Sequence, residues 1–483
     1  MRVGLLVCLA GGVVTALSVP PFGWWPLGPV GLAVLAWQLG ERSWRQRIAL
    51  AAAYGLGLYG VGLAWAFEFT GGAVVFIALV AVQTAVVYAL VPPGRDGAGR
   101  WLGFVGATVA AELFRSVWPF GGLPLSGMDL GQAGGPLAPV VAVGGRLLLV
   151  GTVAALAAAI AALATRRRAA VVTGTVLVVA AIATTAAGWL VPRGHDTGAT
   201  IRVAVVQGGG PRGVRAEAAD EAAVFRRHVE TTRQVDGHVD LVLWPEDVVD
   251  VPTLAGSAEE RTLQQLADDL DTTLVAGVVE DAPNGRFHNA AVAYGPDGTV
   301  VDRYEKVHRV PFGEYFPFRS FLENFASIPD RDALPGPHRP GVLTTPAATA
   351  GVVISYEVFF QGRARSAIAG GGGEVLLVPT NASSYTTTQM PAQEIAAARL
   401  RAWQTGRDTV QAAPTGFSAF VDHRGGVTQQ TDLGARQWRA ATVHLRTGST
   451  PFDRTGDGPT VVVTVALVAG AWLLERQRLR FSS

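Results

Sequence analysis

Ala170-Val-Val-Thr-Gly-Thr-Val-Leu-Val-Val-Ala-Ala-Ile-Ala-Thr-Thr-Ala-Ala-Gly-Trp-Leu-Val191, followed shortly by Ile201-Arg-Val-Ala-Val-Val-Gln207, marks the point where this chain changes solvent. The first run carries no charge over about 20 residues, the length a membrane-spanning helix needs. The second is short and β-branched and reads as a buried strand. Upstream lie further apolar stretches at 3–20, 24–40, 48–67, 73–92, 101–118 and 138–164, and one more follows at 459–474. Charge divides the same way. The 483 residues hold 39 basic and 38 acidic side chains, yet only 18 of these fall in residues 1–199. Charged residues make up 16% of the chain, against about 25% in an average soluble domain, and mean hydropathy is +0.31. A disordered chain is excluded. With one cysteine, Cys8, an intramolecular disulfide is impossible. A net charge of +1 gives no support to nucleic-acid binding.

Orientation follows from the arginines, because short cytoplasmic loops are enriched in basic residues. Arg2, Arg42/Arg45/Arg47, Arg95/Arg100, Arg166–Arg168 and Arg476/Arg478/Arg480 occupy alternate connections. Eight spans then put both termini in the cytoplasm and 192–458 outside. The expected organisation is a seven-helix transmembrane domain over 1–191, an extracytoplasmic domain over 192–458, and a last span with a short tail over 459–483. A cleaved signal peptide is set aside, since Pro20-Pro-Phe22 and a second span follow the first with no small-residue cleavage site. Glu112 and Arg115, three apart within a span, are expected to pair with each other.

The polar segment alternates strand and helix patterns. Strands are expected at 201–207, 239–244, 273–279, 352–355 and 375–379, and helices at 216–235, 257–270 and 391–407. Hairpins are expected over 289–303, turning at Pro296-Asp-Gly298, and over 409–427 around Asp422-His-Arg-Gly425. This is the pattern of a layered α/β domain.

Three places carry groups suited to chemistry. Trp244-Pro-Glu246 ends a predicted strand and sets a carboxylate after a rigid proline. Alone, it reads more readily as a solvated loop carboxylate than as an acid or base. Arg303-Tyr-Glu-Lys306 holds the only lysine in a chain with 38 arginines, and Glu314 follows in a Pro/Gly-shaped loop. Lysine is a compact, tunable cation that arginine cannot replace; the plainer reading is a surface ion pair with Glu305. Gly351-Val-Val-Ile-Ser355-Tyr-Glu357 ends a strand on a hydroxyl, the position of a nucleophile at a strand-to-helix turn or of a helix N-cap. No His/Cys spacing suggests a metal and no glycine pattern a phosphate loop, so no cofactor is expected.

Taken in order, Glu246, Lys306 and a nucleophile at a strand end resemble the nitrilase (carbon–nitrogen hydrolase) superfamily. Within it, the flanking spans resemble the apolipoprotein N-acyltransferase family. The resemblance covers essentially the whole chain. It is carried by Pro20-Pro-Phe-Gly-Trp-Trp-Pro26, Ala111-Glu-Leu-Phe-Arg115, Phe120-Gly-Gly-Leu-Pro124, Trp244-Pro-Glu246, Tyr304-Glu-Lys306, Val310-Pro-Phe-Gly-Glu314, Pro379-Thr-Asn381, Ala398-Arg-Leu-Arg-Ala402 through Arg407, and Ala412-Ala-Pro-Thr-Gly416.

The resemblance implies a polytopic α-helical membrane protein with an inserted αββα-sandwich domain. It implies an acyl-enzyme formed from a membrane phospholipid and an acyl transfer to the amino-terminal diacylglyceryl-cysteine of an apolipoprotein, at the bacterial cell membrane and in a monomer. Glu246 would be general base, Lys306 would support the oxyanion, Glu314 would orient the site, and Tyr356, Glu357 and Asn381 would support it. The nucleophile position holds Ser355 where the family has cysteine, and Cys8 lies far away in the first span. A hydroxyl ionises far less readily than a thiol of pKa about 8.5. The runs Gly209–Gly213 and Asn381-Ala-Ser-Ser-Tyr385 also depart from the family pattern. A non-catalytic lipid- or lipoprotein-binding relative and a membrane-tethered amidase or other acyltransferase therefore stay open. The aromatic stretch Tyr315–Phe325 is expected to lie at the lipid interface; in the family this neighbourhood is a mobile lid.

Overall fold

The computed structural model describes residues 1–69, 72–94, 97–213, 221–324, 328 and 331–482. Arg95, Phe325 and the first part of the helix expected over 216–235 lie outside them. The chain divides into two compact units, Met1–Pro192 with Thr450–Ser483, and Arg193–Ser449.

The first unit is helical. Among the described residues, four helices are long and apolar enough to cross a membrane: Ala73–Leu90, Ala138–Ala164, Arg168–Leu190 and Gly458–Arg478. Arg2–Ala16 and Leu27–Gln38 are shorter apolar helices. Helices Trp44–Gly62 and Ala98–Val117 coincide with the apolar stretches at 48–67 and 101–118. Lipid offers no hydrophobic drive for helix association, so close contact relies on small residues. Gly12 and Gly57 supply it where Arg2–Ala16 meets Trp44–Gly62. A side chain on Gly12 would overlap the Tyr54 carbonyl, and one on Gly57 the Leu9 carbonyl. Glu112 does pair with Arg115, at 2.7 Å, and the pair is extended: Arg146 reaches Glu112 at 2.8 Å and Asp129 at 3.1 Å. These four buried charges balance, as low-dielectric surroundings require.

The second unit carries thirteen strands among its described residues: β1 (His195–Gln207), β2 (Leu241–Leu243), β3 (Val249–Val251), β4 (Thr273–Ala282), β5 (Arg286–Tyr294), β6 (Val300–Glu305), β7 (Val342–Thr344), β8 (Thr349–Val352), β9 (Val375–Pro379), β10 (Thr409–Ala412), β11 (Ala419–Val421), β12 (Val427–Thr428) and β13 (Gln437–Thr447). They form two sheets. One runs β13-β1-β2-β4-β5-β6 with β3 beside β4, and the other runs β12-β11-β10-β9-β8-β7. Side chains alternate between faces along a strand. Val203, Val205, Leu243 and Val275 of the first sheet therefore meet Val352, Leu377 and Val410 of the second. Their neighbours Ala204, Val206, Val242 and Trp244 point the other way, into a core shared with Leu263 and Leu266 of helix Ala258–Asp269. Helix Gln389–Thr405 covers the outer side of the second sheet. The result is an αββα sandwich.

Two expectations are corrected. The strand expected at 352–355 is β8, which ends at Val352. Ser355 opens a 3₁₀ turn, Ser355–Phe359, with φ of +48°. A positive φ cannot continue a sheet ladder. The turn around Asp422–Gly425 joins β11 to β12, while β10 reaches β11 through 413–418.

Replacing Gly57 with valine should force the two helices apart. Overpacking of this kind costs about 1–3 kcal/mol or more, so the melting temperature of the full chain in detergent is expected to fall by several degrees, with Gly60→Val as the control because Gly60 has open space around it.

Candidate active site

Lys306 follows directly on β6, and its backbone N–H donates to the Asn289 carbonyl at 2.9 Å. Its side chain is 2% exposed. Nζ donates to Glu246 Oε1 at 2.7 Å and to Glu314 Oε1 at 2.8 Å. Asn289, near the middle of β5, binds the same two oxygens, each at 2.9 Å. Glu246 arrives after β2, and Gly277 of β4 lies so close beneath Pro245 and Glu246 that a side chain there would displace them. Glu314 is held from its other oxygen by the Val310 N–H at 2.6 Å. Glu305 does not pair with the lysine; it faces His288 and Arg303.

Glu357 is fully buried and accepts from groups of two segments. Tyr304 OH donates to both its oxygens, at 3.0 and 2.9 Å, and the Val307 and His308 N–H groups bind Oε1 at 3.0 and 3.1 Å. Its other oxygen takes the Ile354 N–H at 3.0 Å. Arg363 donates to Tyr304 OH at 2.6 Å and stands 3.4 Å from Glu357. One carboxylate thus ties the segment that carries Lys306 to the turn that carries Ser355. Ser355 itself sits in the left-handed region, a conformation that costs a non-glycine residue about 1–3 kcal/mol. Tyr356 is buried in an edge-to-face contact with Phe360, at 5.0 Å between ring centres.

Thr380 Oγ1 stands as donor 3.3 Å from Ser355 Oγ and 2.6 Å from Glu394 Oε1, its one hydrogen serving either acceptor. Asn381 donates to Asp247 Oδ2 at 3.3 Å and accepts from the Ser383 N–H at 3.0 Å. Burial pushes the carboxyls of Glu246 and Asp247 above the usual range, and pushes Glu394 up to about 8, in each case partly against the pull of Lys306. Lys306 moves up as well: burial opposes its charge, but the two carboxylates outweigh burial. Lys306 therefore keeps its charge, and the cation is fixed by its two partners.

Asn289, Asp247, Thr380, Glu394, Tyr304 and Arg363 do not stand out individually in the sequence. Thr380 and Tyr304 lie inside the motifs Pro379-Thr-Asn381 and Tyr304-Glu-Lys306. Glu394 is the one acid of helix Gln389–Thr405, a weak signal beside its two arginines and three glutamines. In the aromatic stretch, Phe318 and Phe321 are 73% and 62% exposed on either side of Arg319. A buried cation beside carboxylates can stabilise a developing oxyanion and take or give a proton.

The raised carboxyls set a pH dependence of stability. Between the ordinary value of 4.5 and about 8, the folded protein holds the Glu394 proton that the unfolded chain has released, so stability falls as pH rises through this window. His228, buried and pushed down from 6.5 to about 4, acts oppositely but only below pH 6.5. Melting of the full chain is therefore expected at lower temperature at pH 8 than at pH 6.5, and the drop should shrink in Glu394→Gln.

Comparison with known proteins agrees with this architecture. Residues 202–450 match the carbon-nitrogen hydrolase family, and residues 11–160 match the apolipoprotein N-acyltransferase N-terminal domain. An apolipoprotein N-acyltransferase of Pseudomonas syringae pv. tomato is 30% identical over 98% of this chain and 97% of its own length. One of Pseudomonas aeruginosa is 30% identical over 99% and 96%. Among solved structures, Saccharomyces cerevisiae Nit3, a member of the nitrilase superfamily, aligns at 20% identity over 52% of this chain and 92% of its own, with a TM-score of 0.39. The chain belongs to the apolipoprotein N-acyltransferase family and carries a carbon–nitrogen hydrolase domain.

Proposed function

We propose that this protein moves a fatty acyl chain from a membrane phospholipid to the α-amino group of the amino-terminal diacylglyceryl-cysteine of apolipoproteins, through an acyl-enzyme on Ser355. The observation that carries the reading is the buried Lys306 bridging Glu246 and Glu314, tied through Glu357 to the Ser355 turn. Ser355 Oγ attacks the ester carbonyl and Lys306 stabilises the oxyanion. Glu246 is the general base. Glu314 holds the lysine from its second side, Glu357 and Tyr356 position the turn, and Asn381 steadies Asp247 beside Glu246. A lysophospholipid leaves, and the amine then takes the acyl group. All these side chains come from one chain, which suits a monomer.

The domain assignment follows the arginines: a seven-helix domain over 1–191, an extracytoplasmic catalytic domain over 192–458, and a last span with a cytoplasmic tail over 459–483. Both termini then face the cytoplasm of a bacterium. Exposed Phe312, Phe318 and Phe321 suit contact with lipid.

Purified full-length protein, given labelled phospholipid and a diacylated lipopeptide, is expected to release lysophospholipid and to N-acylate the peptide. Ser355 should gain the mass of one acyl group. Ser355→Ala should abolish the gain, and Lys306→Met should slow transfer by about a hundredfold or more. Peptide binding without turnover, beside an active relative, would replace this reading with a binding role. Hydrolysis of a small amide without lipid would replace it with an amidase.

A further inference from the structure

We propose that Thr380 and Glu394 form a proton relay that activates Ser355, with Glu394 receiving the serine proton through the threonine hydroxyl. This rests on Ser355 being the acylated group; Glu394 takes the serine proton, and Glu246 remains the base toward the incoming amine.

Three segments meet to build the relay. Ser355 opens the turn after β8, Thr380 follows β9, and Glu394 lies on helix Gln389–Thr405. The Ser355–Thr380 contact is 3.3 Å and the Thr380–Glu394 contact 2.6 Å. Thr380 is fully buried and Glu394 is 3% exposed. Glu394 Oε2 is buried with no hydrogen-bond partner among the described residues. A carboxyl group kept with half its capacity unused is costly unless it serves a purpose. Glu246 Oε1, in contrast, is already engaged by both Lys306 and Asn289. Thr380 is the hydrogen-bond partner of the Ser355 hydroxyl among the described residues.

A threonine hydroxyl has one hydrogen, and this makes the relay directional. With Glu394 ionised, that hydrogen points at the carboxylate and Thr380 Oγ1 accepts from Ser355. With Glu394 protonated, the carboxyl donates to Thr380 and Thr380 donates to Ser355 Oγ. The chain of three groups is therefore a base in one state and an acid in the other. As Ser355 Oγ bonds to the ester carbon, its O–H bond breaks. Its proton passes to Thr380, whose own proton passes to Glu394, and the carbonyl electron pair moves onto the oxygen beside Lys306. Collapse breaks the ester C–O bond. The departing glycerol oxygen takes a proton from Thr380, which Glu394 replaces. In the second half the amine nitrogen bonds to the acyl carbon and yields a proton to Glu246, the bond to Oγ breaks, and that proton ends on Ser355.

The electrostatics agree. Burial lifts Glu394 to about 8, Glu246 adds to the rise, and Lys306 and the Thr380 hydrogen bond oppose it. A base with a value near the working pH suits a hydroxyl better than an ordinary carboxylate. Of the elements packed on this helix, the 355–359 turn brings Glu357 and the segment Gln361–Arg365 brings Arg363 and Arg365. The strands β10 and β11 bring no charge.

The test uses full-length protein in detergent and a fluorophosphonate probe, whose addition to Ser355 is followed by peptide mass spectrometry from pH 6 to 10. In the wild type the labelling rate should rise with a midpoint near 8. Glu394→Gln and Thr380→Val should each label about a hundredfold more slowly and lose that midpoint. A thiol ionises without such help, so in a Ser355→Cys background, read with iodoacetamide, the Glu394→Gln loss should shrink to less than about tenfold. That background also shows that the substituted site is folded. The relay is overturned if Glu394→Gln keeps the wild-type rate and profile, if Thr380→Val has no effect, if the loss is as large in the cysteine background, or if the wild type fails to label. Wild-type labelling with the expected midpoint but no acylated lipopeptide would uphold the relay and overturn the acyl-transfer reading instead.

Discussion

Lys306 is held by Glu246 and Glu314 at 2.7 and 2.8 Å with almost no contact with water, and the neighbouring strands are arranged around that fact. A buried ammonium is stable only if opposite charge and full hydrogen bonding surround it. Here two carboxylates supply the charge, and Asn289 locks both of their inner oxygens in place. The participants come from β5, from the ends of β2 and β6, and from the loop around 314. The ion cluster therefore works as a register pin for the open end of the first sheet. It also explains why an arginine-rich chain retains one lysine. Two carboxylate oxygens converging on one point suit a compact ammonium better than a planar guanidinium.

A second buried carboxylate, Glu357, does a different task. It gathers N–H groups from Val307, His308 and Ile354 and the hydroxyl of Tyr304. Hydrogen bonds to a charged acceptor are among the strong ones, so the link between the Lys306 segment and the Ser355 turn is firm. This link sustains the strained φ of +48° at Ser355. Glu246 and Glu357 are thus both buried acids of one site, one facing the reactive cation and one holding the backbone that presents the hydroxyl.

In the helical unit the same rule of balance recurs. The sequence shows the Glu112–Arg115 pair because three residues separate its members on one helix. Asp129 and Arg146 join it from outside that helix, and only the folded packing of the bundle brings them in. The crossing of Arg2–Ala16 with Trp44–Gly62 is likewise set by glycines whose importance shows only once two backbones touch.

Short-range information is readable directly from the residue order. Apolar run lengths locate the helices, β-branched runs and Asp-Gly turns locate most strands, and rarity alone marks Lys306, the one lysine among 38 arginines. These features rest on neighbours in the chain, whose spacing is explicit. Ser355, in contrast, reads as the end of a strand, because nothing local announces that a buried glutamate two residues later will pull the backbone into a turn. Asn289, Thr380 and Glu394 give little sign of their place in the site. Their partners lie 43, 25 and 14 residues away in the chain, and contacts of that span arise only when two sheets close on a common core. The order of residues by itself determined the two solvents, the α/β class and the chemical identity of the reactive groups. The tertiary structure alone decided which carboxylate each polar hydrogen meets, because burial and distance, which set charge and proton affinity, exist only after folding.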